Sequence, residues 1–528
     1  MFALFGTVLF CRRIGRGRCR TLGFITKKKM KAYKVLLFFM SVMLTLALVC
    51  HFFPKEGIDA GFATLKFPSV EDVFKAEEKK GISAETHIKE MEESLRIKHD
   101  TLSPEEMKKI AVQDSVERAD SLAYHDTLKF YHDFIRKHPA RIYFPNNDSM
   151  YLRPLMVALD KQRYKKQMHI VHYGDSQIEG DRISGYIRRK FQGKFGGNGP
   201  GLIPAIQPIP SAALQQTYSG NLERYIIDGN LAQKAQHNRY GALAQVSELD
   251  GQASIAVSPR KEDARGKFSE VKLFVGNTSD DFSASLTYKD TFETQTTGKA
   301  EAYACVSWEL REPIDEFTLS LKGKAEIYGL SLGSEYGVTV DNVPLRGSSG
   351  TFFTKLDKGV FRAMHKDLNT KLVLMEFGGN VMPVINSQKN VDSYKKTIAA
   401  NIQYVKNMCP NAKIILIGPA DMSIKIDGKL QTYPWLEENI EGMKQAALEN
   451  GAAFWNMYEV MGGYNSMINW VSNKPAWAAS DYIHFTPKGA NRIAEIFVES
   501  FMLYNDYYRF LSKPSKWNKN KKEVKKKR

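Results

Sequence analysis

From residue 166 onward the chain alternates short apolar runs with segments of helical spacing, and this alternation restricts the possible folds more than any other feature. Met168-His169-Ile170-Val171-His172-Tyr173 reads as a buried strand, and Ile178, Ile183, Ile187 and Phe191 then fall near helical spacing. Leu372 to Phe377 is strand-like and precedes a helical run from Val391 to Met408. Lys413 to Ile417 precedes another from Trp435 to Glu449, and Ala452 to Trp455 reads as a further strand. Thr486-Pro487 has the form of a helix start, followed by an apolar stripe of Ile493, Ile496, Phe497 and Phe501. Strands alternating with helices predict a parallel sheet covered by helices on both faces.

Residues 216–334 break the rhythm. Val271 to Val275, Ser283 to Leu286, Cys305 to Leu310 and Phe317 to Leu321 carry β-branched and aromatic residues between turn-rich breaks. This pattern predicts a β-sandwich inserted into the α/β domain, whose two parts are then 166–215 and 335–512. Residues 67–165 are rich in Glu, Lys, Ala and Leu and read as a polar helical stalk or linker.

The length of 528 residues implies more than one folded unit. The net charge of +17 suggests nucleic acid until its location is considered. Residues 1–34 and the tail 513–528 together carry +18, so the body between them is near neutral. With no nucleic-acid motif present, no nucleic-acid partner is expected; the tail reads as a disordered basic segment. Val35 to Phe53 is uncharged and long enough to cross a hydrocarbon core of about 30 Å. Lys27, Lys28, Lys29, Lys31 and Lys34 precede it and Lys55 follows, so the basic end is expected to stay cytoplasmic and the body to be exported by a single-pass anchor. A cleaved signal peptide is the alternative, but no small-x-small site follows the run. Met30 with Lys31-Ala32-Tyr33-Lys34 has the form of an ordinary start, and residues 1–29 are assigned no function. Only Cys305 and Cys409 lie in the body, which excludes a disulfide framework or cysteine-zinc spacing there.

Two short signatures about three hundred residues apart carry the chemistry. His172-Tyr173-Gly174-Asp175-Ser176-Gln177 ends a strand, where open α/β sheets place their sites. A serine hydroxyl there needs a base to remove its proton. Asp481-Tyr482-Ile483-His484 precedes the last helix, and the three-residue spacing lets Asp481 hold the His484 imidazole in one tautomer. Alone, each motif also reads as a turn, a surface pair or a helix cap. Phe377-Gly378-Gly379-Asn380 follows a strand and offers an amide donor for a developing oxyanion, or else a simple glycine turn. Leu345-Arg346-Gly347-Ser348-Ser349-Gly350 is a loop whose glycine can present a backbone N–H. No metal cluster, phosphate loop or dinucleotide motif competes, so no cofactor is expected.

Taken together, Ser, Gly, Asn and His in this chain order resemble the SGNH hydrolases, or GDSL-type esterases. The resemblance implies a three-layer, flavodoxin-like domain with Ser176 as nucleophile, His484 as general base and acid, and Asp481 as its orienter. It also implies an oxyanion hole from Ser176, Gly347 and Asn380. The insertion between the first two blocks resembles the layout of bacterial peptidoglycan O-acetylesterases, where a carbohydrate-binding-like sandwich occupies that place. Ile327 to Leu332 followed by Gly337 to Asp341 resembles the return into the catalytic domain, which selects Gly347 over the loop from Gly196 to Gly201. Val381 departs from the pattern, since many relatives carry an acid after the asparagine. The implied activity is hydrolysis of O-acetyl esters on a cell-wall or envelope polysaccharide. Acetyl transfer to a sugar by the same triad, and non-catalytic glycan binding, stay open, as does the oligomeric state.

Overall fold

The computed structural model describes residues 83–96, 113–161, 164–228, 230, 233–260 and 265–512, with scattered positions between 37 and 65. The chain divides into residues 1–80 and 81–528. In the first unit the described residues include helical positions between 37 and 45 and an antiparallel ladder of Ile58–Asp59 with Thr64–Leu65. The basic end 1–34, most of the apolar run 35–53 and the tail 513–528 lie outside the described residues. Among the described residues no helix is long and apolar enough to cross a membrane.

The second unit begins with α1 (Ala84–Ser94), α2 (Gln113–Lys137), β1 (Ile142–Tyr143) and α3 (Arg153–Lys161). Next come β2 (Met168–Gly174), α4 (Ser184–Phe195) and β3 (Gly201–Ile203). A run of strands follows: β4 (Leu214–Ile226), β5 (Gln245–Pro259), β6 (Phe268–Gly276), β7 (Ser283–Tyr288), β8 (Thr291–Thr296), β9 (Ala304–Ile314) and β10 (Phe317–Gly333). Alternation resumes with β11 (Val338–Pro344), α5 (Lys358–Asp367), β12 (Thr370–Glu376), α6 (Gln388–Met408) and β13 (Lys413–Ile417). After the hairpin of β14 (Ser423–Ile426) and β15 (Lys429–Thr432) come α7 (Leu436–Glu449), β16 (Ala453–Trp455), α8 (Met457–Met461), α9 (Ser466–Ser472) and α10 (Pro487–Ser512).

Six strands form the central sheet in the order β11-β2-β12-β13-β16-β1; the first five run parallel and β1 is antiparallel to β16. Alternating side chains send Met168, Ile170, Leu372 and Leu374 to one buried cluster and Val171, Tyr173, Val373 and Met375 to another. Burial on both faces is why these strands read as continuous apolar runs. Ile187 and Phe191 of α4 and Ile493 and Phe497 of α10 cover the first face, whereas Phe361 of α5, Ile398 of α6 and Met443 of α7 cover the second.

The expected stalk requires a correction. Ile88 and Met91 of α1 and Tyr131 and Phe134 of α2 belong to the same buried cluster as Ile170 and Leu374. Tyr131 lies 5.4 Å from Tyr507 and Phe134 5.4 Å from Tyr504, ring centre to ring centre, on α10. The described part of 67–165 therefore packs as an outer layer over α10 and contributes an edge strand. A three-residue spacing puts Tyr131 and Phe134 on one helix face, and their burial outweighs the polar remainder of α2.

The inserted strands form one eight-stranded ladder. The first part of β10 pairs with β5 and β7, and its last part pairs with β6 and β3, with a register shift between Ile327 and Gly329. The ladder thereby closes over Ile255, Leu273, Leu286, Trp308 and Leu319. Its limits differ from 216–334: β4 starts at Leu214, and β3, expected within the α/β part, joins the ladder through Ile203 opposite Leu330. The loop between Gly196 and Gly201 brings α4 back against this junction. At Gly199, with φ +88°, a Cβ would sit 2.3 Å from the Leu332 carbonyl oxygen, so the close backbone approach requires glycine.

Candidate functional site

Parallel register brings four strand ends level. Gly174 of β2 lies opposite Pro344 of β11 and Glu376 of β12, and Glu376 lies opposite Ile417 of β13. The loops leaving these carboxyl ends carry Ser176, Gly347 and Asn380, as expected of sites on open α/β sheets. They line a cavity of about 560 Å³ together with His484, Glu376, Arg182 and Met422, among others.

Ser176 opens a 3₁₀ turn directly after β2. The Asp175 carboxylate accepts the Gln177 N–H at 2.9 Å and so bends the chain out of the strand. Ser176 Oγ lies 2.7 Å from His484 Nε2, and His484 Nδ1 lies 2.7 Å from Asp481 Oδ2. A carboxylate only accepts, so Nδ1 carries the proton and Nε2 is left to accept the serine hydroxyl. Asp481 and His484 do not face each other across a helical turn. They share a tight turn with Tyr482 at φ +58°, in which Asp481 Oδ1 accepts the N–H groups of Ile483 at 2.9 Å and His484 at 3.0 Å. Partial burial raises the Asp481 pKa, but the His484 N–H, the His484 ring and the Ile483 N–H outweigh it and hold the carboxyl below its ordinary value.

The loop of His484 is fastened to that of Ser176 by groups without a role in the sequence reading. Gln177 donates from Nε2 to the Ile483 carbonyl at 2.6 Å and accepts the Phe485 N–H at 3.2 Å. Arg182 donates to the carbonyls of Ser176 at 2.6 Å and Phe485 at 2.9 Å. Thr486 Oγ1 accepts the Gly489 N–H at 3.3 Å and starts α10, so the histidine sits directly before a capped helix.

Asn380 Nδ2 donates to Asp175 Oδ2 at 2.9 Å and to the Ser348 carbonyl at 3.2 Å, so its amide is held in place from two sides. Gly347 sits on the same wall in a left-handed conformation with φ +76°. Beneath lies a buried polar layer: Glu376 Oε2 meets His172 Nε2 at 3.1 Å, and His172 Nδ1 meets Ser184 Oγ at 2.9 Å. Asp175 and Glu376 were legible as charged residues at the ends of apolar runs, a position that a solvated surface residue seldom takes. The Gly174-Asp175-Ser176 motif drew attention to the serine alone.

Burial pushes the Asp175 carboxyl up to about 7; Glu376 adds to the effect, while the Gln177 N–H and the Asn380 amide oppose it. A carboxyl with a raised folded-state pKa holds more protons when folded than unfolded, so stability falls as pH rises from its ordinary value of 3.8 to about 7. Asp175→Asn removes this titration. Its melting temperature is expected to fall less than that of the parent between pH 5 and pH 7.5; equal slopes in a calorimetric series would show that Asp175 does not titrate there.

No protein-family model matches this chain, and no curated protein matches it in sequence. Among solved structures, a peptidoglycan O-acetylesterase is similar with a TM-score of 0.57 and 19% identity, over 70% of this chain and 99% of that one. An acetylxylan esterase from Geobacillus stearothermophilus matches at TM-score 0.24 and 19% identity over 31% of this chain and 73% of that one. A family two carbohydrate esterase from Cellvibrio japonicus matches at TM-score 0.22 and 9% identity over 56% and 99%. The first match shows that this chain shares the fold of the peptidoglycan O-acetylesterase; the other two superpose too loosely to argue from.

Proposed function

We propose that this protein is an SGNH-type serine esterase that removes O-acetyl groups from a cell-wall or envelope polysaccharide. The observation that carries the reading is the unbroken row from Ser176 Oγ to His484 Nε2 and from His484 Nδ1 to Asp481, with 2.7 Å at each contact, on the wall of a cavity large enough for a sugar ester.

In this reading Ser176 Oγ attacks the acetyl carbonyl carbon while its proton passes to His484 Nε2. The carbonyl oxygen becomes an alkoxide, stabilised by the N–H groups of Ser176 and Gly347 and by the Asn380 amide, which gives up its longer bond to the Ser348 carbonyl to donate there. Collapse breaks the bond to the sugar oxygen, which takes the proton from His484 and leaves as the free hydroxyl. Water then gives a proton to His484 and attacks the acetyl-serine; acetic acid departs, to ionise in solution, and the proton on His484 returns to Ser176. Asp481 stays ionised throughout and stabilises the imidazolium. Asn380→Ala is expected to lower kcat about 100- to 1,000-fold with a smaller change in KM; a change in KM alone would place Asn380 in binding rather than at the oxyanion.

The direct test is mass spectrometry of the protein after brief exposure to an activated acetyl ester, which should show a 42 Da gain on the peptide holding Ser176, a mass set by exchange of one hydrogen for an acetyl group. An adduct elsewhere would reject the assignment. Supplying an acetylated donor and an unacetylated glycan separates hydrolysis from transfer, and transfer exceeding hydrolysis would make the protein an acetyltransferase. Export and tethering are part of the proposal and are supported by the apolar run 35–53 and the lysines before it. Carbonate extraction of membranes should leave the full chain in the pellet, and its release would reject the anchor.

A further inference from the structure

A second cavity, of about 200 Å³, adjoins the first. Arg346 and Glu179 line both, and their two-point ion pair, at 2.8 and 2.6 Å, stands between them. One wall comes from the inserted ladder through Arg224, Ile226 and Gln245. The other comes from the α/β layer and the loop after β3, through Leu345 and Gln207.

Most charges around this cavity are already matched. Arg188 binds Asp181 at 2.6 and 2.9 Å, Arg346 binds Glu179, and Asp228 accepts the Ser348 hydroxyl at 2.6 Å. Two polar groups are left over. Gln207 Oε1 is buried without a hydrogen-bond partner. Arg224 uses its Nε on Gln245 Oε1 at 2.5 Å, and its terminal nitrogens meet no acceptor among the described residues. One group thus lacks a donor and the other lacks an acceptor, beside apolar walls formed by Leu214, Ile226 and Leu345. A sugar ring answers both needs, because each hydroxyl donates and accepts while the ring's C–H face packs on apolar side chains. An acyl chain would leave both polar groups desolvated and unsatisfied, at a cost of about 1–3 kcal/mol each.

We propose that this second cavity binds the sugar unit next to the one whose acetyl group is cleaved, with Arg224 and Gln207 gripping its hydroxyls. The inference rests on the reading of the first cavity as a site for an O-acetylated glycan. It makes the inserted ladder part of the substrate cleft and the enzyme selective for chains over single sugars.

The test uses the full chain carrying Ser176→Ala, so that ligand is not consumed, and calorimetric titration with an O-acetylated monosaccharide and the matching disaccharide. The disaccharide should bind at least about tenfold more tightly, the worth of one hydrogen bond to a charged group. Adding Arg224→Ala, or separately Gln207→Leu, should remove most of that gain; Gln207→Leu keeps the volume and decides the matter if the arginine variant does not fold. Equal affinity for the two sugars would overturn the proposal, as would a gain that survives both substitutions in folded protein. A gain produced instead by lengthening the acyl group would assign the cavity to acyl chains. If the monosaccharide binds without any disaccharide gain, only this inference fails; if neither ligand binds, the reading of the first cavity fails with it.

Discussion

Ser176→Ala is expected to lower ester turnover by roughly a million-fold, to the residual rate that binding and oxyanion donors alone sustain. The size follows from the geometry. Ser176 Oγ is the hydroxyl that His484 Nε2 meets at 2.7 Å, and without it the base has no proton to take and no acyl intermediate forms. Because serine and histidine act as one unit, His484→Ala should cost about as much, and the double variant little more than either. Acetate release from an acetylated glycan, followed by titration or a coupled assay, measures the effect. The replacement removes one oxygen from a half-buried position, so unfolding midpoints of parent and variant should agree. Turnover within tenfold of the parent, in folded protein, would end the serine-esterase reading.

The second large effect is Asp481→Asn, for which a loss of about ten-thousand-fold in kcat is expected. Asparagine can keep its carbonyl oxygen toward the Ile483 and His484 N–H groups, which preserves the turn. Its amide N–H₂ then faces His484 Nδ1 and donates to it, which forces the ring proton onto Nε2 and leaves Ser176 without a base. Stability should barely move: the aspartate side chain is 47% exposed and the histidine 34%, and ion pairs so solvated contribute at most about 1 kcal/mol. Large kinetic and small thermal effects together identify an orienting group, whereas a large drop in melting temperature with modest kinetic loss would make Asp481 structural. Because its neighbours hold the Asp481 carboxyl below its ordinary value, the group stays charged through the usual aspartate range, and its own titration should not close the gap between parent and variant there.

Much of this could be read along the chain because it is local. The strands around Ile170, Leu374 and Ile415 announce themselves by apolar runs bounded by turn residues, and the inserted strands by β-branched and aromatic runs between breaks. The motif residues were found by type and order. What escaped was non-local or too short to carry a period. Ile142–Tyr143 offers two residues and no alternation, yet extends the sheet beside Phe454 and Trp455. The segments 84–94 and 113–137 are polar over most of their sequence, and nothing in them states that Tyr131 and Phe134 meet α10. Asp481 and His484 share the spacing of a helix pair but occupy a tight turn, because Asp481 accepts two N–H groups ahead of it, which in a helix interior would already be bonded to carbonyls behind them.

The order of elements, the presence of an inserted β module and the residue types able to perform acyl transfer were determined by the sequence itself, since periodicity and motif are properties of neighbours. Only the tertiary structure decided that Gly174, Pro344, Glu376 and Ile417 end level, that Gln177 and Arg182 draw the His484 loop onto Ser176, and that Arg224 and Gln207 face a second cavity with bonds unmade. The physical reason is that parallel strands have no turn to set their register. Their alignment, and every hydrogen bond between residues some three hundred positions apart, comes from packing two apolar faces at once.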